Sequence, residues 1–159
     1  MSKTSNDVRE VPLSAIRADK QAQPRVGVDD DRVAEYVADM KRRDTFPPLV
    51  VFEDPAGGFF WLADGFHRYR AAENLDRKKI KCDVRKGGLR EAILYSCRAN
   101  ATHGLRRTNE DKRAAVAKLL DDEEWGKWND SEIARRCDVG AKPVCCDWRT
   151  VSGFAPVRS

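Results

Sequence analysis

Residues 59–72 read Phe-Phe-Trp-Leu-Ala-Asp-Gly-Phe-His-Arg-Tyr-Arg-Ala-Ala, and this stretch constrains the fold more than any other part of the chain. An apolar, aromatic run ends at Asp64. Gly65 follows, then Phe66, His67, Arg68 and Arg70, and then the helix-forming Ala71-Ala72-Glu73. The pattern predicts a strand that runs into the N-terminus of a helix, with a small residue at the bend and cations at the helix mouth. The first backbone N–H groups of a helix have no internal partner, and the macrodipole favours anions there. Gly65 permits close backbone approach, and His67 and Arg68 add donors. A phosphate suits such a turn. The bland reading is an ordinary strand–helix junction with solvated arginines, but a strand of buried character leads straight into the cationic turn. Asp64 has two readings, an acid–base group or a helix N-cap, and both stay open here.

The flanking sequence supplies the rest of an α+β layout. Val8 to Ile16 reads as a short strand leading into a loop that ends at Pro24-Arg25. Asp29 to Arg43 is an amphipathic helix, with Val33, Tyr36, Val37 and Met40 on one face and acids at its start. Leu49 to Phe52 and Phe59 to Ala63 are strands joined by the turn Pro55-Ala56-Gly57-Gly58. A helix is expected from Phe66 to about Leu75. Alternation of Ile80, Cys82 and Val84 marks a half-buried strand, and Leu89 to Arg98 is helical.

Thr108 begins a second unit. Thr108-Asn109-Glu110-Asp111 has the layout of a capping box. The helix it opens runs to about Leu120, with either Ala114, Ala117 and Leu120 or Val116 and Leu119 inward. Trp125 and Trp128 follow. Asp130 or Ser131 caps a second helix in which Ile133 and Ala134 face inward. After the turn Asp138-Val139-Gly140, Lys142-Pro143 opens a third, since proline is acceptable in a first turn. The pair is consistent with a helix-turn-helix, with residues 142–150 as the recognition helix. Its candidate DNA contacts are Arg135, Arg136, Lys142 and Arg149. A plain packing pair of helices is the alternative.

Composition bounds what these units can do. The chain of 159 residues is 41% hydrophobic, enough for a core, and 35% charged. No run approaches the ~18 apolar residues of a membrane span. The first residues, Met1 to Val11, contain no apolar signal region, so a cytoplasmic protein is expected. Five cysteines without a C-x-x-C pair, and two histidines, argue for reduced thiols and against a zinc site. The net charge of +4 is unevenly placed: Gly65 to Arg90 holds nine Lys or Arg against three acids. That positive field suits a nucleotide or a nucleic-acid backbone.

Asp64-Gly65-Phe66-His67-Arg68 resembles the signature of the ParB/sulfiredoxin superfamily, and is closest to its D-G-x-H-R variants. Gln23-Pro24-Arg25, Pro47-Pro48-Leu49-Val50-Val51 and Asn100 to Arg107 resemble three further ParB motifs. In the last of these, Asn100 and His103 stand where ParB proteins have the asparagine and arginine of E-N-x-x-R. Ala99 replaces the glutamate, and Phe66 replaces the catalytic cysteine of sulfiredoxins. The resemblance implies a ParB/sulfiredoxin-like mixed sheet with flanking helices over residues 1–107. A small all-α, helix-turn-helix-like unit would follow over 108–159. It implies a bound ATP or CTP, carried with Mg2+. The phosphate ligands would come from Gln23, Arg25, Gly65, Phe66, His67, Arg68, Arg70, Asn100, His103, Arg106 and Arg107. It also implies a nucleoid- or plasmid-associated partition protein or transcriptional regulator, a nucleotide-dependent homodimer, and at most slow NTP hydrolysis. The competing class is an enzyme of the same fold, such as a free-serine kinase, an ATPase or a nuclease, with Asp64 as its catalytic group. A third is a partner-binding adaptor that keeps a degenerate nucleotide fold.

Overall fold

The computed structural model of the protein describes residues 7–19, 22, 29–43, 45–99 and 107–140. Gln23, Arg25, Asn100, His103, Arg106, Lys142 and Arg149, and with them the expected recognition helix, lie outside the described residues.

The described residues divide into two compact units, one up to Ser96 and the other from Cys97. The first is built on a five-stranded mixed sheet. Its strands are β1 (Asp7–Pro12), β2 (Ile16–Arg17), β3 (Leu49–Glu53), β4 (Phe60–Asp64) and β5 (Lys79–Lys86), in the order β1-β5-β3-β4-β2. β1 runs antiparallel to β5 and β3 antiparallel to β4, while β3·β5 and β2·β4 are parallel. Leu49-Val50-Val51-Phe52 of β3 are all buried, as a continuous apolar run between two neighbouring strands should be.

The strand expected over Val8 to Ile16 is instead two strands on opposite edges of the sheet. Pro12 has no N–H to continue the ladder. After it, Leu13–Ala15 forms a 3-10 turn whose Leu13 N–H donates to Lys78 O at 3.0 Å. The buried Leu13 side chain anchors the turn, and the chain crosses to pair with β4.

Three helices accompany the sheet: α1 (Asp30–Lys41), α2 (Phe66–Asn74) and α3 (Leu89–Arg98). α1 buries Val33 and Met40, with Tyr36 and Val37 partly covered. Asp29 caps it, accepting from Asp31 N at 3.0 Å and Arg32 N at 3.4 Å. α2 buries Phe66, Tyr69, Ala71 and Ala72, four of its nine residues, so it is an inner helix despite its two arginines.

The second unit holds α4 (Asn109–Asp121), a 3-10 turn at Trp125–Lys127, and α5 (Asp130–Cys137). The capping box forms: Asp111 N donates to Thr108 Oγ1 at 3.1 Å and Thr108 N to Asp111 Oδ2 at 2.9 Å. The buried face of α4 is Asp111, Ala115, Val116, Leu119 and Leu120, which holds both residues of the second expected face and Leu120 of the first. It packs with Trp125, Ile133, Ala134 and Cys137, all buried. The cap of α5 is Asn129, one residue ahead of the expected Asp130 or Ser131, and it accepts from Glu132 N at 2.8 Å. Asp138 ends α5 with φ +52°, a left-handed conformation that Asp tolerates better than most side chains.

The division between the units precedes the expected boundary at 107/108. Its cause is Cys97, in the last turn of α3. The residue is fully buried, its carbonyl accepts from Arg107, and its thiol donates to Ala115 O at 3.7 Å.

Candidate functional site

The turn between β4 and α2 takes the form its sequence predicts. Gly65 has φ +96° and ψ 29°, a left-handed conformation available to glycine at little cost. Its carbonyl accepts from Tyr69 N at 2.9 Å, which closes the first turn. Gly65, as N-cap, has no side chain to cap α2, and the first turn holds no acid. α1, α4 and α5 are capped by Asp29, Thr108 and Asn129 respectively. The first N–H groups of α2 thus lie at the positive end of a helix whose N-cap residue supplies no side-chain acceptor.

Each predicted ligand in this turn has a definite setting. Phe66 is buried, so only its backbone N–H is offered to a phosphate. His67 Nε2 accepts from Asp29 N at 3.2 Å, tying the starts of α1 and α2 together. Arg68 is largely covered: its Nη1 donates to Pro47 O and, at 3.4 Å, to Pro48 O, and its Nη2 lies 3.7 Å from Asp64 Oδ2. Asp64 therefore does not cap α2, whose N-cap is Gly65. It braces Arg68 instead. Arg70 is exposed beside Glu73, at 3.3 Å.

Gly65 serves packing as well as approach. A Cβ there would lie 2.3 Å from Leu49 Cδ2 and 3.1 Å from Arg68 Nη2. The space that sequence reasoning assigned to a ligand is on that side filled by the protein's own leucine and arginine.

Arg107 departs from its expected role. It is buried, with Nη1 donating to Cys97 O at 2.7 Å and Nη2 to Cys137 O at 2.7 Å and Asp138 O at 3.3 Å. The guanidinium saturates the carbonyls at two helix ends, where a cation also complements the dipole. This corrects its place among the phosphate ligands. Arg135 and Arg136, the described candidates for DNA contact, are solvent-facing on α5, and both pair with Glu132. Arg136 and then Arg135 hold the Glu132 carboxyl below the usual carboxylate range.

The sheet beside the turn carries groups that sequence reasoning missed. Asp83 is buried, with its Oδ2 3.1 Å from Arg85 Nη2 and its Oδ1 without a hydrogen-bond partner among the described residues. In register it sits across Val50 from Asp64. The alternation of Ile80, Cys82 and Val84 already placed Asp83 on the opposite face, which was the signal available. Burial pushes the Cys82 thiol up to about 12 and the Tyr69 phenol, with help from Glu73, also to about 12. Neither is a ready nucleophile.

With this geometry in hand, comparison with known proteins is decisive at the family level. The family model of the ParB N-terminal domain matches residues 1–101. The chain belongs to the ParB N-terminal domain family. Among curated relatives, the Streptomycin biosynthesis operon possible regulatory protein of Streptomyces griseus is 32% identical over 83 residues, 52% of this chain and 23% of that protein. Transcriptional regulator NovG of Streptomyces niveus is 28% identical over 101 residues, 64% of this chain and 30% of that one. Less than a third of either relative is thus spanned. Among solved structures, the C-terminally truncated chromosome-partitioning protein ParB of Caulobacter crescentus complexed to the centromeric parS site matches with TM-score 0.61 and 17% identity, over 90% of this chain and 71% of that one. The same protein complexed with CTP-gamma-S matches with TM-score 0.53 and 19% identity, over 91% and 78%. These likenesses show the fold, a ParB-like mixed sheet with flanking helices.

Proposed function

We propose that this chain is the nucleotide-binding, DNA-associated part of a ParB-like regulator. The observation that carries the reading is the start of α2, a left-handed glycine at the N-cap followed by a first turn that holds no acid and carries His67, Arg68 and Arg70 close behind it. The N–H groups of Phe66, His67 and Arg68 receive the phosphates of a nucleoside triphosphate, ATP or CTP. His67 and the exposed Arg70 border the site, and Arg68, held by the Pro47 and Pro48 carbonyls, keeps the turn in shape. Gln23, Arg25, Asn100, His103 and Arg106 are the further phosphate ligands that the family resemblance implies. Mg2+ would come with the nucleotide, held by its phosphates. The bound nucleotide supplies a dense anion that orders the turn and controls dimerisation. The helical unit, read as a helix-turn-helix, contacts DNA through Arg135, Arg136, Lys142 and Arg149. The ParB structures complexed to parS and to CTP-gamma-S support both halves. The names of the two Streptomyces relatives favour transcriptional regulation over partition.

A carboxylate placed inside the turn tests the nucleotide site. An acid in the first turn of a helix is favourable for the helix and repels a phosphate. His67→Glu is therefore expected to keep the thermal midpoint and to weaken triphosphate binding by at least about tenfold in calorimetry. Equal affinity of His67→Glu and wild type for ATP, CTP and GTP, each with and without magnesium, removes α2 from the site.

A further inference from the structure

The two arginines of α5 are already occupied. Arg135 grips Glu132 as a fork, Nη2 to Oε1 at 2.7 Å and Nε to Oε2 at 3.1 Å. Arg136 Nε reaches the same Oε1 at 2.8 Å, and its guanidinium lies over the Trp128 ring, 5.2 Å from the centroid. Asn129 fixes the start of the helix through Glu132 N. One carboxylate thus holds two guanidinium groups whose side chains are 69% and 44% exposed, while its own is 27% exposed.

We propose that Glu132 is a built-in competitor for the DNA phosphates that Arg135 and Arg136 take, and so sets how tightly this surface holds duplex DNA. The proposal rests on the DNA-binding reading of the helical unit given above. A carboxylate and a phosphate present the same planar pair of acceptor oxygens to an arginine fork, so they compete for one site. Trp128 holds the Arg136 guanidinium flat whichever anion it meets. With Glu132 in place, each new phosphate contact must displace an existing ion pair. Contacts to arbitrary DNA are thereby weakened, and binding depends more on whatever other contacts a particular site adds. In a helix-turn-helix the first helix crosses the DNA backbone, which is where such arginines act.

The test is fluorescence anisotropy on the full chain with a random-sequence duplex of about 30 base pairs, over a series of salt concentrations. Glu132→Gln removes the competing charge and keeps the side-chain volume. Glu110→Gln, an exposed acid in the first turn of α4, changes the net charge equally and touches neither arginine. Glu132→Gln is expected to tighten binding about threefold to tenfold near 50 mM salt. The plot of log affinity against log salt should steepen by about one unit or more as the freed arginines neutralise phosphates. Glu110→Gln should leave that slope unchanged. Adding Arg135→Ala and Arg136→Ala to Glu132→Gln should cancel the gain. Equal slopes for Glu132→Gln and Glu110→Gln, or a gain that survives loss of both arginines, overturns the proposal. Wild type that binds the duplex equally well without Arg135 and Arg136 overturns it too, but leaves DNA binding to another surface. Absence of binding by every variant overturns the DNA reading itself.

Discussion

At the scale of single residues, Gly65 decides whether the turn can exist. Its φ of +96° is strained for any L side chain, and a Cβ there would enter Leu49 and crowd Arg68. Gly65→Val is therefore a folding variant before it is a probe of phosphate approach. It is expected to lower stability by about 2–4 kcal/mol, through backbone strain and overpacking together. A urea titration followed by circular dichroism checks this. A Gly65→Val protein with unchanged urea midpoint would show that the turn has another conformation open to it. The form of the turn was legible because an apolar run that ends at Asp64-Gly65 and passes into Ala71-Ala72-Glu73 reads as a strand entering a helix. The partners of the turn's side chains were not legible. That Arg68 turns back to the Pro47 carbonyl, and that His67 meets the backbone of Asp29, are long-range facts. No local pattern encodes them, although Pro47-Pro48, lacking N–H groups, leaves carbonyls in want of outside donors.

At the scale of elements, local signals worked wherever a helix or strand is decided by its own periodicity. The expected helix Asp29 to Arg43 is α1, and Leu89 to Arg98 is α3 without change. The misses occur where tertiary packing overrides the local pattern. Val8 to Ile16 splits because the chain must reach both edges of one sheet. Arg107 was misread because a basic residue next to a phosphate-like motif reads as a ligand, and burial cannot be seen in a run of polar residues. Its three carbonyl partners make it a staple between the last turns of α3 and α5. Arg107→Met keeps the apolar stem and removes the donors, leaving buried carbonyls at two helix ends unpaired. The expected loss is about 2–4 kcal/mol of stability. A thermal melt or urea titration measures it, and the helical unit should carry the loss. Asn129→Ala, which removes only the cap of α5, should cost less, about 1 kcal/mol. A ranking with Asn129→Ala the more damaging would count against the staple.

At the scale of the whole molecule, the buried ionisable groups fix how stability depends on pH. Cys82, in the sheet, is pushed up to about 12 by burial, and Tyr69, on the buried face of α2, also to about 12. In the helical unit Cys137 is raised by its contact with Cys97 and by burial. All three are neutral when protonated, so the folded state keeps protons that the unfolded chain gives up once pH exceeds the ordinary thiol and phenol values near 9 and 10. The unfolded state then binds fewer protons than the native one, and stability falls as pH rises. The loss should begin near pH 9 and deepen toward pH 12, with little change between pH 6 and 8 from these groups. Urea midpoints at pH 7, 9 and 10.5 measure it. Cys82→Ala removes one of the groups. It should lower stability at pH 7 through lost packing, and it should also make the decline between pH 9 and 10.5 shallower than in wild type. A decline of the same depth in Cys82→Ala and wild type would show that the Cys82 thiol ionises as readily in the sheet as in the unfolded chain.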